Sequence, residues 1–224
     1  MSKKSVLKMS ALAVAFAAAA APITAAAEVS GSLGISNFYL WRGQDLTLGA
    51  GNVHGSLDYS HASGAYAGVW GSSETAAGGT GGETDVYFGF AGEAGELSYD
   101  VSYWSYIYPS IDQGFGEAGE VIVGLGMGDF GLGVYLSVAD DADGDKAFAK
   151  DKYLTLSYAY DKFGFTAGTW MFDADDVDYT HVDVSYSPVE NLTFTASKVV
   201  ASDDGAGVTD DQDVLFNVGY AFSF

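Results

Sequence analysis

The chain of 224 residues contains no cysteine, so disulfide bonds and zinc sites built from paired cysteines are excluded. No uninterrupted run of about 18 apolar residues occurs beyond residue 27, which argues against a transmembrane helix there. Walker loops, HExxH pairs and Gly-x-Ser-x-Gly elbows are also missing, and with them the usual signatures of nucleotide binding and hydrolysis. We therefore expect no cofactor, no bound metal and no enzymatic activity.

Basic residues are scarce, with nine Lys and Arg against 30 Asp and Glu and a formal charge of −21. Removal of a leader that contains Lys3, Lys4 and Lys8 leaves six basic and 30 acidic residues, a charge of −24. Nucleic acid is not expected as a partner, because phosphate binding depends on Lys and Arg. Cations and small polar solutes suit this charge better.

The first 27 residues have the order of a secretory signal peptide. A lysine-containing start is followed by an apolar centre at 11–21 and by three alanines at 25–27, ahead of Glu28. A buried core helix is the alternative interpretation of this segment. We assign residues 1–27 to a signal peptide and residues 28–224 to a single domain.

The remainder repeats one pattern, in which about ten residues of alternating polarity are followed by a polar break. Long and short breaks alternate along the chain, as the exterior loops and periplasmic turns of outer-membrane barrels do. The pattern predicts an all-β fold: a transmembrane antiparallel up-and-down β-barrel of about twelve strands in the bacterial outer membrane. The predicted strands are 29–42, 53–61, 65–72, 83–91, 96–108, 118–127, 130–139, 152–160, 163–172, 179–187, 192–199 and 213–224.

The last segment has two clearly different faces. Aromatic residues and valines occupy every second position from Val214 to Phe224, and mostly small or polar residues lie between them. In a barrel the apolar face contacts lipid and lipopolysaccharide, and the strand closes against the first one. Its end at Phe224 also predicts recognition by the barrel-assembly machinery. In the alternative fold, a secreted β-sandwich, the same apolar face would form a dry core.

The opposite parity of the predicted strands carries acids, which are costly against lipid and are therefore assigned to the lumen. These acids include Asp85, Asp100 and Glu120. In segment 65–72 the parity stays open, because Val69 and Trp70 compete for the lipid face. Aromatic residues near the strand ends predict interfacial girdles.

Five further residues are candidates for a lumen site. His54 and Asp58 share one inner face, His181 and Asp183 share another, and both histidines lie near the long-loop end. The histidines bond to lumen carboxylates or, in the alternative, polarise a water at the barrel rim. Arg42, the only arginine, ends the first predicted strand and is expected to point inward and pair with a carboxylate. It would act as a constriction charge, as a structural salt bridge, or as both.

Several blocks resemble a known family. Residues 35–43 read Ile-Ser-Asn-Phe-Tyr-Leu-Trp-Arg-Gly, and 55–72 contain Asp-Tyr-Ser-His-Ala-Ser-Gly and then Tyr-Ala-Gly-Val-Trp-Gly-Ser. Shorter blocks follow at 83–87, 97–101 and 108–109. On these blocks the chain resembles the TorF family of proteobacterial outer-membrane porins, of the Gcw_chp type. The resemblance implies a porin-like barrel and leaves its solute open.

These observations favour a passive outer-membrane channel for small polar or cationic solutes. One alternative is a non-conducting structural or surface barrel that displays acidic loops, at 140–151, 173–178 and 200–212, to ions or partners. A hydrolase at the barrel rim, using His54 or His181, is the third interpretation.

Overall fold

The computed structural model describes residues 27–73, 81–140 and 146–224. The predicted signal peptide lies outside the described residues except for Ala27, and so do residues 141–145 of the first acidic loop. Within the described ranges, no helix is long and apolar enough to cross a membrane.

Fourteen strands make up most of the described chain. In chain order they are β1 (Glu28–Ser36), β2 (Leu40–Trp41), β3 (Gln44–Asp45), β4 (Asn52–Ser60), β5 (Ala65–Ser72), β6 (Glu83–Ala94), β7 (Leu97–Tyr108), β8 (Gln113–Met127), β9 (Phe130–Asp140), β10 (Lys146–Tyr160), β11 (Phe163–Met171), β12 (Tyr179–Val189), β13 (Leu192–Ser202) and β14 (Leu215–Ser223). A short 3-10 helix at Pro109–Ile111 follows β7.

Twelve of these strands form one closed antiparallel barrel, and β2 and β3 form a separate hairpin. β1 closes the ring because it pairs with β4 on one side and with β14 on the other. A closed ring has no edge strand with unpaired backbone groups, which is the condition for crossing lipid with strands. The predicted up-and-down barrel of about twelve strands is confirmed.

The connections alternate in length around the barrel. At one end lie the four-residue turn 61–64 and two-residue turns at 95–96, 128–129, 161–162 and 190–191. Most connections at the opposite end are longer, and the longest, residues 37–51, joins β1 to β4. By the usual asymmetry of outer-membrane barrels, the short-turn end faces the periplasm and the long-loop end faces the exterior.

The first strand differs from the prediction, because β1 ends at Ser36 and not at Arg42. Asn37 Oδ1 accepts a hydrogen bond from the backbone N–H of Val218 (2.7 Å), and Asn37 Nδ2 donates to the carbonyl of Phe216 (2.9 Å). The Asn37 side chain thereby makes the contacts to β14 that a continuing backbone would make. The main chain is released from the wall, and Arg42 lies in the turn between β2 and β3.

The two faces of the wall have the predicted polarity. The side chains of Val101 and Leu132 are 48% and 42% exposed on the outer face, whereas Asp85, Asp100 and Glu120 are buried inside. Large apolar residues are exposed in this way on nearly every barrel strand. An apolar outer wall around a closed barrel places the protein in the bacterial outer membrane.

The strand of uncertain parity, β5, is now assigned. Val69 is exposed on the outer face. Tyr66 points inward, where its hydroxyl donates to Asp100 Oδ2 at 2.7 Å, and Trp70 lies inside against the His54 ring. Two large rings of β5 therefore fill lumen space rather than contact lipid.

We predict that Val101→Arg lowers the free energy of unfolding in lipid vesicles by about 2–4 kcal/mol, because residue 101 faces lipid near the middle of β7. The control Val101→Leu keeps an apolar side chain and should cost less than about 1.5 kcal/mol. Denaturant titration followed by tryptophan fluorescence measures both. Equal tolerance of arginine and leucine would contradict the lipid-facing position.

Candidate functional site

Residues 37–51, called the inner loop below, fold into the barrel at its long-loop end. β2 and β3 pair through Leu40↔Asp45 and Trp41↔Gln44, so only Arg42 and Gly43 form the turn. Both turn residues have positive φ, 48° and 84°. This is the two-residue type I′ geometry that suits the twist of a hairpin. The turn places the only arginine at the tip of the inner loop.

Hydrogen bonds from the wall hold the inner loop in place. Tyr179 Oη donates to the carbonyl of Arg42 at 3.0 Å and accepts from Gln44 Nε2 at 2.6 Å. Nearer to β1, Asn217 Nδ2 donates to the carbonyl of Phe38 at 2.7 Å. The inner loop is therefore tied to β12 and β14, which lie on the same side of the barrel with only β13 between them.

The guanidinium of Arg42 binds Glu120 in a bidentate pair. Arg42 Nη1 donates to Glu120 Oε1 at 2.8 Å, and Nη2 donates to Oε2 at 2.6 Å. Tyr106 Oη donates a third hydrogen bond to Oε2 at 2.6 Å. Both charged side chains are nearly removed from solvent, with 9% and 5% exposed. Two planar groups matched in this way are among the strongest polar contacts in proteins.

Four aromatic rings surround the same guanidinium. Its Cζ atom lies 4.3–4.7 Å from the ring centroids of Trp41, Tyr135, Tyr153 and Trp170. Strand register explains the arrangement, because Tyr153 lies opposite Tyr135 on one side and opposite Trp170 on the other. Cation–π contacts of this kind contribute about 0.5–2 kcal/mol each. We call Glu120 and these four rings the Arg42 cage.

Arg42 belongs to the inner loop and not to a membrane-spanning strand. Its neighbours determine its charge state. Burial is the largest single influence and acts to lower the pKa of Arg42, but the charge and hydrogen bonds of Glu120, with smaller contributions from Tyr106 and Tyr135, together leave the pKa above its ordinary value. The guanidinium therefore stays charged inside the barrel, where it is bound to Glu120.

A buried hydrogen-bond chain supports one wall of the cage. Tyr153 Oη lies 2.6 Å from His181 Nε2, and His181 Nδ1 lies 3.0 Å from Asp183 Oδ1, which also accepts from Ser197 Oγ at 2.6 Å. All four side chains are at most 4% exposed. With Nδ1–H donating to Asp183, the Tyr153 hydroxyl donates to Nε2. The chain orients the Tyr153 ring and keeps His181 away from solvent.

The absence of a side chain at Gly168 makes this chain possible. Gly168 lies opposite His181 across β11 and β12. A Cβ atom there would stand 2.5 Å from His181 Nε2 and would also meet the Tyr153 hydroxyl. Only glycine leaves space for the two polar groups to meet.

A second polar cluster lies nearer to the short-turn end. Asp58 accepts hydrogen bonds from the hydroxyls of Tyr87 and Ser56, the latter at 2.7 Å. The Tyr87 ring stacks on Trp104, with centroids 4.0 Å apart and planes inclined by 12°. Tyr66 supplies the partner of Asp100. Tyrosine hydroxyls are thus the recurring partners of lumen carboxylates.

The prediction that His54 bonds to a lumen carboxylate is wrong. His54 Nδ1 lies 2.9 Å from Asn52 Oδ1, and its ring packs on Trp70. Asp58, on the same face of β4, is engaged by Tyr87 of β6 and by Ser56, which is two positions away from Asp58 whereas His54 is four positions away.

The structure therefore divides the predicted lumen residues into two groups. Arg42 and Glu120 form the ion pair at the cage, and His181 and Asp183 are connected to the cage through Tyr153. His54, Asp58, Asp85 and Asp100 lie elsewhere on the inner wall. Sequence reasoning missed the cage rings, although Tyr153 shares the inner parity of Thr155 and Ser157 and could have been assigned to the lumen on that basis. Among the described residues, no group of three or more His, Asp or Glu is arranged to hold a metal ion.

A closed barrel with an apolar exterior and a polar interior defines the class of the protein, a bacterial outer-membrane β-barrel. The chain belongs to the Gcw_chp family, described as bacterial proteins of unknown function, whose model matches residues 17–220. A comparison with curated proteins found no match.

Solved structures of similar shape are outer-membrane barrels. The NanC porin is 12% identical, with a TM-score of 0.42 over 88% of this chain and 98% of that one. Outer membrane phospholipase A from Escherichia coli is 12% identical, with a TM-score of 0.43 over 87% and 88% of the two chains. A mutant porin of Rh. blastica is 12% identical, with a TM-score of 0.34 over 88% and 100%. At this level of similarity they carry no argument about function.

We predict that Arg42→Met lowers the free energy of unfolding by about 3–5 kcal/mol, because it leaves Glu120 buried without its counter-charge. The double variant Arg42→Met, Glu120→Gln removes that uncompensated charge and should recover most of the loss. Denaturant unfolding in detergent micelles measures both variants. A double variant no more stable than the single one would contradict the importance of the ion pair.

A second prediction concerns the tip of the inner loop. Gly43 has a φ of +84°, and a Cβ atom there would stand 2.8 Å from the Cβ of His181. Gly49 has a similar φ of +81° with nothing within 4 Å, so it is a matched control. Gly49→Ala should cost about 1–2 kcal/mol from backbone strain alone. Gly43→Ala should cost about 1–3 kcal/mol more, from overpacking.

The same unfolding titration measures both alanine variants. Equal losses of stability would mean that the inner loop does not pack against His181 in the folded barrel.

Proposed function

We propose that the protein is an outer-membrane channel for passive diffusion of small polar or cationic solutes, narrowed by its inner loop. The observation that carries this proposal is the chemistry of the inner wall. Five acids face inward: Asp58, Asp85, Asp100, Glu120 and Asp183. Buried charges of this kind add little to stability, because well-packed apolar residues in place of buried ion pairs are often neutral or stabilising. Acids retained in a lumen are explained by solutes or water that pass them.

Charge gives the preferred sign of the solute. Arg42 is the cation that balances Glu120, while the other inward acids keep the lumen negative. Rings of carboxylates favour cations in channels, and a narrow low-dielectric lumen strengthens the effect. The resemblance of the sequence to porins of the TorF type supports a channel role and leaves the solute open.

The inner loop is the element that would govern passage. Its tip occupies the lumen, held by the Arg42–Glu120 pair, the cage rings and the Tyr179 hydrogen bond. These contacts are side-chain contacts to a loop, whereas the wall is held by continuous backbone ladders. Displacement of the inner loop would therefore open the lumen without breaking the barrel.

A second candidate function, a non-conducting structural or surface barrel, is favoured by the burial of the Arg42 cage. A permanently closed barrel would display its acidic long loops, such as residues 203–214, to ions or to lipopolysaccharide through bridging cations. Hydrolysis at the rim remains the weakest candidate, because His181 is almost fully buried.

We also propose that the barrel-assembly machinery recognises β14 and the terminal Phe224.

Planar-bilayer recording separates the two main candidates. We predict small, cation-selective steps for the wild-type protein and larger or longer-lived steps for Arg42→Ala, which frees the tip of the inner loop from Glu120. Swelling of liposomes in graded sugars and salts gives the size limit.

Folding is verified in each sample by the mobility shift between boiled and unboiled protein. Silence of both folded proteins in the bilayer would overturn the channel proposal and favour the non-conducting barrel.

A further inference from the structure

The five acids of the inner wall differ in their contact with water. Four of them are buried, each at most 4% exposed: Asp85, Asp100, Glu120 and Asp183. Asp58 also faces the lumen, but it is only partly buried. It lies two residues before the short-turn end of β4, which is about 7 Å inside the strand end. Water that enters the lumen from this end reaches its carboxylate.

The partners of Asp58 are neutral. The hydroxyl of Tyr87 donates to Oδ1, and the hydroxyl of Ser56 donates to Oδ2 at 2.7 Å. Within the described ranges, no lysine, arginine or histidine forms an ion pair with Asp58. Lys162, in the short turn between β10 and β11, lies on the opposite side of the ring from β4. The described chain therefore gives Asp58 hydrogen bonds but no counter-charge.

The position of the Asp58 carboxylate is fixed by the wall. The Tyr87 side chain crosses Gly68 of the intervening strand β5, where a Cβ atom would meet the tyrosine hydroxyl. The Tyr87 ring also stacks on Trp104, with centroids 4.0 Å apart. A ring held on both sides presents its hydroxyl to Asp58 in one geometry. The carboxylate is thus oriented before any solute arrives.

The lumen facing Asp58 is wider than its opposite end. The inner loop and the cage rings occupy the long-loop end. Near the short-turn end of β8–β12, the inward positions of the described strands carry only Gly, Ala, Ser or Thr, among them Gly126, Gly131, Ser157, Ala159, Gly164 and Ser185. Twelve strands also enclose more space than eight, whose interior side chains just fill. Water and small ions have room in front of Asp58.

One hydrated carboxylate influences ions across a passage of this size. The Debye length is about 10 Å at 0.1 M ionic strength and about 3 Å at 1 M. The low-dielectric wall of a narrow lumen concentrates the field further. Charge on a buried carboxylate without a counter-ion is costly, whereas Asp58 remains in contact with lumen water. A passing cation can therefore meet Asp58 directly and cannot meet the four buried acids.

We propose that Asp58 is the residue that makes the channel prefer small hydrated monovalent cations. The proposal rests on the proposed channel function and assigns its charge preference to the short-turn end of the lumen. The inner loop narrows the opposite end. Charge preference and size limit thus belong to different parts of the lumen, and they can be changed one at a time.

Reversal potentials of the folded mature chain in planar bilayers under a KCl gradient test the proposal. Asp58→Asn keeps the side-chain shape and removes the charge. We expect the K⁺/Cl⁻ permeability ratio to fall about fivefold at low salt, which is the Boltzmann factor for two unit charges about 4 Å apart in water. Asp58→Glu keeps the charge and should keep the ratio. The size limit in liposome swelling should be the same in both variants.

An unchanged permeability ratio in conducting Asp58→Asn would overturn the proposal. Two controls separate Asp58 from the other acids. Asp100→Asn removes a buried acid that also accepts a hydrogen bond from a tyrosine. Glu93→Gln removes an exposed acid at the short-turn rim, one residue before the end of β6. Each control should change the ratio much less than Asp58→Asn, and an equal fall in either one would overturn the assignment to Asp58.

The absence of native cysteine allows a second measurement that needs no current. Asp58→Cys and Asp100→Cys each introduce a single thiol into the barrel in lipid vesicles. A small water-soluble methanethiosulfonate should modify the Asp58→Cys variant at least about tenfold faster, because buried thiols are inert. Equal rates in the two folded variants would show that position 58 is no more accessible than position 100, and would overturn the proposal.

The channel and the role of Asp58 fail on different results. Silence of the folded wild-type barrel would overturn the channel and, with it, the role of Asp58. Conductance that prefers cations equally in the wild type and in Asp58→Asn would leave the channel standing and overturn the role of Asp58 alone.

Discussion

The structure depends on one constraint, the need of every backbone N–H and C=O to find a partner where no water is available. In lipid only a closed ring of strands satisfies this along its whole circumference. β1 completes the ring by pairing with both β4 and β14. Closure then forces each strand to have two environments, and alternating residues meet lipid or lumen accordingly. The side-chain pattern of the whole chain follows from this division.

The lumen has its own requirement, because carboxylates withdrawn from bulk water need hydrogen-bond donors. Tyrosine meets this requirement repeatedly: Tyr66 for Asp100, Tyr87 for Asp58, Tyr106 for Glu120 and Tyr108 for Glu83. A tyrosine fills space with its ring and supplies one donor at its tip, so it serves a narrow lumen well. Glu120 also receives the only arginine of the sequence. The inner loop is therefore held by the same electrostatics that the lumen acids create.

Most of the fold could be predicted from the sequence, whereas the contacts that build the candidate site could not. Strand number, closure and the faces of most strands were predictable, because polarity that alternates with period two specifies a face directly. The same reasoning left the lipid-facing side of β5 undecided, since small residues occupy one parity of this strand and aromatic rings occupy the other. The end of β1 was also missed, because the side chain of Asn37 can imitate backbone pairing only when β14 is already beside it. Functional roles of the lumen residues stay predictions.

The sequence by itself determined the barrel, its membrane location and the inward direction of its acids, because these depend on local alternation and on the cost of charge in lipid. Tertiary structure alone decided that Arg42 leaves the wall and meets Glu120 among four rings from separate segments. Contacts between residues 78 positions apart depend on strand register and on where a loop folds. No short stretch of sequence contains either quantity, so the cage could be identified only from the closed barrel.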